Sequence, residues 1–131
     1  MIRRINTPVT LLNAVSEATL SSKTSVEDFR HAHLYVQLAG ATTTIKVKAC
    51  DVETVDFSAA STVSNPWYYV DIIGLGDGAT RVNGATGITA TTGTSAKSYA
   101  INLDFAKWIA VDASVLSAGT VSVVLTAATN E

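Results

Sequence analysis

His33-Leu34-Tyr35-Val36-Gln37-Leu38 and, after a short link, Thr44-Ile45-Lys46-Val47-Lys48-Ala49 decide the fold class. In the first run Leu34, Val36 and Leu38 fall on one side. In the second Ile45, Val47 and Ala49 do, with Lys46 and Lys48 opposite. A period of two marks a half-buried strand, because successive side chains point to opposite faces. Gly40-Ala41-Thr42 can turn the chain, so the two runs are expected to pair as a β-hairpin.

The same reading extends outward. Asn65-Pro66 opens the run Trp67-Tyr68-Tyr69-Val70-Asp71-Ile72-Ile73, which is apolar on both sides. It is expected to be one central strand covered on both faces. Ser98 to Asp104 alternates with Tyr99, Ile101 and Leu103 inward, and Lys107 to Asp112 follows. Ser117-Ala118-Gly119-Thr120 is a turn before the last strand, Val121 to Ala127. Upstream, Leu11 to Val15 reads as a short strand or a helical turn. Ser25 to Phe29 reads as a turn with one buried aromatic, and Ser25 with Asp28 makes a weak capping-box pattern. No 10–15-residue helical pattern separates the strands, so the chain is expected to be all-β, an antiparallel sandwich or barrel.

The chain has 131 residues, the length of one domain spanning 1–131. Thr, Val, Ala, Ser and Gly dominate, which suits pleated strands. Charged residues make up 15%, and 9 Lys+Arg face 11 Asp+Glu for a net charge of −2. An acidic, weakly charged chain excludes a strong non-specific nucleic-acid binder. No apolar run approaches the 18 residues or so of a membrane span, so no membrane partner is expected. One cysteine, Cys50, implies no disulfide and no oxidising compartment. The start carries Arg3 and Arg4 but no continuous apolar stretch after them, so no secretion signal is read.

Six of the eight glycines lie between Gly74 and Ser98, a stretch otherwise rich in Thr and Ala. It is expected to be one long loop or a protruding hairpin, with Asn83-Gly84 as a type I′ turn dipeptide. Asp77, Arg81 and Lys97 are its charged residues.

No motif in the chain carries a complete chemistry. His31 and His33 share one side of a strand, but two imidazoles are half a metal site, and a polar strand start explains them. Gly74-Leu75-Gly76-Asp77-Gly78 lacks the third glycine and the following helix of a phosphate loop. Asp71, Asp77 and Asn83 lack the alternating oxygen spacing of a calcium loop. Asp51 and Glu53 read as solvated carboxylates at a strand end. Gly-x-Ser-x-Gly is absent, and Cys50 reads as an inert packed or half-exposed thiol. No enzyme activity, cofactor or metal is expected. Trp67, Tyr68, Tyr69 and Trp108 read as core before they read as a sugar-stacking platform. On the core reading Trp108 joins Ile109 and Val111 in the interior, and Trp108→Ala costs about 3–5 kcal/mol.

Residues 65–127 resemble small virion proteins of tailed bacteriophages. The likeness rests on the aromatic strand Asn65 to Ile73, on Leu103 followed by Trp108-Ile109-Ala110-Val111, and on the closing Ser117-Ala118-Gly119-Thr120-Val121-Ser122-Val123. Residues 1–64 add no match. The resemblance implies a jelly-roll-like β-sandwich acting as a capsid decoration or cement protein. It would sit on the outer capsid surface after assembly in the host cytoplasm. Its partners would be the major capsid protein and further copies of itself, as a dimer or trimer, with no nucleic acid and no membrane. The alternative it implies is a tail or baseplate component with a carbohydrate-binding sandwich, which requires an exposed Trp or Tyr pair beside a groove. Low charge suits burial against identical neighbours, because interface cores are depleted in charge. Residues 1–9 read as an N-terminal arm or, equally well, as an ordinary first strand or a frayed terminus; on the arm reading Ile2, Arg3, Arg4 and Ile5 are candidate contacts and Pro8 stiffens it. Asp77, Arg81 and Asn83 are the candidate contacts of the Gly/Thr-rich stretch.

Overall fold

The computed structural model describes residues 7–76, 80–90 and 96–129. These residues form strands and turns and no helix. In chain order the strands are β1 (Val9–Val15), β2 (Thr19–Leu20), β3 (Thr24–Ser25), β4 (His31–Ala39), β5 (Thr42–Cys50) and β6 (Tyr68–Tyr69). They continue as β7 (Ile72–Leu75), β8 (Arg81–Val82), β9 (Ile88–Ala90), β10 (Ala96–Asn102), β11 (Trp108–Ser117) and β12 (Thr120–Ala128). One sheet has the order β1-β12-β4-β10-β7-β8. The other has the order β2-β11-β5-β6, with β3 added to β11 and β9 to β5. All registered pairs are antiparallel. The fold is the all-β antiparallel sandwich that the alternation predicts.

The core lies between the sheets. The first contributes Leu34, Val36 and Leu38 from β4 and Val121, Val123 and Leu125 from β12. The second contributes Ile45, Val47 and Ala49 from β5 and Ile109, Val111 and Ala113 from β11. Tyr99, Ile101 and Leu103 point inward as expected, and so do Ile109 and Val111. Fully burying each Val, Leu or Ile contributes roughly 1.5–3 kcal/mol, so these facing rows are the main source of stability.

The expected β4–β5 hairpin does not form. β4 is hydrogen-bonded on one side to β12 and on the other to β10. Both of its edges are taken, so β5 crosses to the other sheet and pairs with β11. The link 117–120 does the same, because β11 and β12 lie in different sheets. The two corners are stacked: Ser117 is registered with Thr42, and Thr120 with Ala39. Ala118 and Gly119 both have a φ of 55°. A Cβ on Gly119 would lie 2.0 Å from the Ala39 carbonyl oxygen.

The run Trp67 to Ile73 is likewise not one central strand. Tyr68 and Tyr69 pair with β5, whereas Ile72 to Leu75 pair with β10 in the opposite sheet. The Val70 N–H, between them, donates to the Val47 carbonyl at 2.9 Å. Neither piece is covered on both faces, since Tyr68, Ile73 and Leu75 are exposed. β1 settles the ambiguity at Leu11 to Val15 as a strand. Near Ser25 the buried side chain is Val26, with Phe29 partly buried beside it.

In the stretch Gly74 to Ser98, read as one long loop or a protruding hairpin, β8 pairs back on Ile72 and Ile73 of β7, and β9 joins the other sheet. Asn83-Gly84 is not a type I′ turn, because Gly84 does not have a positive φ. The N–H groups of Thr86 and Gly87 donate to the Asn83 carbonyl at 3.1 and 2.9 Å. Gly84 is packed so closely on Val70 that a Cβ would lie 2.7 Å from the Val70 carbonyl.

Candidate functional site

The outer faces of the two sheets are treated differently. That of the β2-β11-β5-β6 sheet is covered by the segment 51–67. Val55 and Phe57 pack on Cys50 and Ala110 to make a second, smaller core, with Leu20, Val52, Trp67 and Trp108 at its margin. Lys48 points to this outer face, as the alternation requires, yet is only 8% exposed. Its Nζ donates to the Phe57 carbonyl at 2.8 Å and lies 3.6 Å from Asp112 Oδ2. It also sits 4.3 Å from the centroid of the Trp67 ring. Cys50 is fully buried there, and burial pushes its thiol pKa up. Trp108 belongs to this margin and not to the interior. Its indole N–H donates to the Glu53 carbonyl at 3.1 Å, and Lys23 Nζ lies 4.7 Å from its ring. Only part of the indole leaves water, so Trp108→Ala is expected to cost about 2 kcal/mol in urea unfolding, below the full core penalty.

Among the described residues no comparable cover lies on the outer face of the six-stranded sheet. The strand registers lay out its rows: Ser122, Gln37, Ala96; then Val124, Tyr35, Ser98, Leu75; then Thr126, His33, Ala100, Ile73, Arg81. Tyr35, Leu75 and Ile73 are 45%, 44% and 38% exposed. The His33 ring stacks at 4.1 Å on Tyr35. In these rows Arg81 is the one charged residue, and it is paired with Asp71. The signal for this face is in the sequence: outward positions of the first alternating run are His33, Tyr35 and Gln37, whereas those of the second are Lys46 and Lys48.

A groove opens at the sandwich end where β5 finishes. It measures about 520 Å³ and is lined by Asp51, Ser61, Thr62, Val63, Pro66, Trp67 and Tyr68. Its wall is built by local hydrogen bonds. Asn65 accepts from the Asp56 N–H at 2.8 Å and donates to the carbonyls of Asp56 and Ala60 at 2.8 and 3.2 Å. The Trp67 indole N–H donates to the Ala59 carbonyl at 2.9 Å, and its ring meets Tyr69 edge-on at 5.1 Å. Tyr68 is 44% exposed. Burial of its phenol raises the pKa, and the carboxylates of Asp51 and Asp104 add to the rise. Tyr68 and Trp67 are thus less enclosed than a core reading of the aromatics requires.

The candidate contact residues separate into two groups. Ile2, Arg3, Arg4, Ile5 and Asp77 lie outside the described residues. Arg81 and Asn83 are described, and both are engaged within the chain. Arg81 Nε donates to Asp71 Oδ2 at 3.2 Å, and Asp71 Oδ1 accepts from the Gly84 N–H at 2.8 Å. Asn83 Oδ1 accepts from the Ala85 N–H at 2.9 Å, shaping its own turn. Asp71 and Asn83 therefore brace the β8 turn. Among the described residues no group of three His, Cys, Asp or Glu is placed to hold a metal. Glu53 is paired with Lys107 at 3.2 Å, apart from Asp51.

The Arg81 and Gly84 hydrogen bonds hold the Asp71 carboxyl below the usual carboxylate range. A carboxylate depressed on folding adds stability above its unfolded pKa, and that stability is lost as pH falls through the folded pKa. Asp71→Asn is therefore expected to be less stable than the parent at neutral pH. The two melting curves should converge on acidification below about pH 4.

No family model matches the chain. No curated protein matches it either. Solved structures share the fold, among them the following two. The crystal structure of the SPBc2 prophage-derived protein YomS superposes with a TM-score of 0.71 at 14% identity, covering 98% of this chain and 96% of that one. The PBSX exported protein XepA superposes with a TM-score of 0.75 at 16% identity, covering 98% of this chain. This chain spans 39% of the length of XepA. The architecture is therefore one that also makes up nearly the whole of a prophage-derived protein.

Proposed function

We propose that this chain is a bacteriophage virion protein that acts without catalysis, by laying the outer face of the β1-β12-β4-β10-β7-β8 sheet on neighbouring protein subunits. In the decoration reading those subunits are the major capsid protein on the outside of the head, joined by further copies of this chain. One observation carries the reading: this face presents Tyr35, Ile73 and Leu75 with no unpaired charge in its central rows, while the opposite sheet is already covered. The likeness to the prophage-derived YomS over nearly its whole length supports a phage setting.

The size is adequate. Six strands at about 4.8 Å spacing, from 2 to 9 residues long, offer a face of roughly 600 Å². A standard interface buries about 800 Å² per partner. Weak single contacts then suffice, because many copies on a lattice add avidity.

Tyr35→Glu with Leu75→Glu is expected to weaken binding to heads of the cognate phage by about 100-fold or more, by placing unpaired charge in a desolvated centre. The melting temperature should stay near that of the parent, since both side chains are already exposed. Co-sedimentation with purified heads is the measurement. Undiminished binding by this folded variant refutes the face. Failure of the parent chain to bind heads or any other part of the particle refutes the virion reading.

A further inference from the structure

We propose that the groove lined by Asp51, Pro66, Trp67 and Tyr68 is a binding site for a neutral saccharide. This surface lies at the end of the sandwich, apart from the sheet face assigned above, and does not depend on it.

Three features point to this class of ligand. The first is the wall. Tyr68 is 44% exposed at a groove of about 520 Å³, within the roughly 300–1,000 Å³ of small-molecule sites. An aromatic side chain with an apolar body and a polar tip matches a pyranose, which has a C–H face and a rim of hydroxyls. The second is the available acceptor. Asp51 is exposed, and its carboxylate forms no ion pair among the described residues, so it is free to accept from a pair of vicinal hydroxyls. Ser61 and Thr62 are spent differently: the Ser61 hydroxyl is bonded to the Trp67 backbone, and Thr62 Oγ1 accepts from the Asn65 N–H at 3.2 Å. They shape the wall more than they supply donors.

The third feature is charge. No lining residue is a cation, and Asp104 adds a second carboxylate near Tyr68. Sialylated, sulfated or phosphorylated glycans would place like charge against Asp51 with no Lys or Arg in the lining, and Lys48 behind the Trp67 ring is already engaged with the Phe57 carbonyl and Asp112, which is a selective penalty. Hexoses and N-acetylhexosamines incur none. The wall is also preformed, since Asn65 and the Trp67 indole N–H are fixed by backbone carbonyls, so little ordering is required on binding.

The test begins with the full chain on a microarray of neutral, sialylated, sulfated and phosphorylated saccharides. The strongest neutral hit is then titrated calorimetrically against the parent, Tyr68→Ala, Tyr68→Phe, Asp51→Asn and Tyr35→Glu. The expected result is neutral-sugar binding, weakened at least 10-fold by Tyr68→Ala and about 5-fold or more by Asp51→Asn. Tyr68→Phe should retain most of the affinity, because stacking needs the ring more than the hydroxyl. Tyr35→Glu should bind sugar like the parent while losing particle binding, so the two proposals fail separately. Melting curves confirm that each variant folds. Absence of any neutral-sugar binding, binding confined to anionic glycans, or equal affinity in folded Tyr68→Ala overturns the site.

Discussion

Gly119→Val is expected to lower the melting temperature by about 15 °C. Left-handed backbone costs a residue with a side chain roughly 1–2 kcal/mol, and a β-branched one more. Gly119 has a φ of 55°, so the new side chain meets that cost first. It then meets the other corner of the sandwich, because its Cβ would lie 2.0 Å from the Ala39 carbonyl oxygen and 2.6 Å from the Gly40 carbonyl carbon. Both obstacles are backbone, so no side chain can swing away. The corners must part, and with them the pairing of Thr120 with Ala39. A total near 4 kcal/mol corresponds to roughly 15 °C for a domain of this size. Gly40→Ala supplies the control. Gly40 has a φ of 71°, but nothing lies within 4 Å of its Cβ position. It should lose only about 1–2 kcal/mol. Equal losses for Gly119→Ala and Gly40→Ala in thermal melts would show that the stacked corners carry no special constraint.

Lys48→Ala is expected to expose Cys50 to thiol reagents about 100-fold faster than in the parent. Lys48 Nζ ties the covering segment down by donating to the Phe57 carbonyl at 2.8 Å. It also lies 3.6 Å from Asp112 Oδ2, with both side chains largely buried. Removing the ammonium leaves a carbonyl without its donor and a carboxylate without its counter-ion. Deleting one partner of such a pair costs roughly 3 kcal/mol. Most of that loss falls on segment 51–67, which the pair holds to the sheet, and local opening should rise by about two powers of ten. Cys50 is the internal reporter, since it is fully buried under Val55 and Phe57. The rate of reaction with a disulfide reagent under native conditions reads the opening directly. An unchanged rate would mean that apolar packing alone holds the segment. Lys48→Met, which keeps the stem against Trp67, should fall between the two.

Much of the fold was legible from residues. The inward sets Leu34, Val36, Leu38 and Ile45, Val47, Ala49 are buried as their alternation requires, and so are Tyr99, Ile101, Leu103 and the Val121 to Ala127 strand. A β-strand turns over each side chain with a period of two, so the side on which a residue lies is local information. The candidate sites were legible in smaller part. Arg81 and Asn83 are polar residues in a Gly/Thr-rich stretch, which suits a contact loop as well as it suits an internally braced turn. Only the position of Asp71, brought beside Arg81 by the β7–β8 pairing, distinguishes the two.

By itself the sequence determined the all-β class, the long alternating strands and the sides on which their apolar rows are buried. The tertiary structure alone decided which sheet each strand joins. Gly40-Ala41 and Ala118-Gly119 look like hairpin links but act as corners, because β12 and β10 occupy both edges of β4. The same long-range choice divides Tyr68-Tyr69 from Ile72-Ile73 and, among the described residues, leaves one outer face without the cover that segment 51–67 gives the other. The physical reason is that alternation specifies a direction for each side chain, whereas hydrogen-bond partners are specified by competition among strands far apart in sequence.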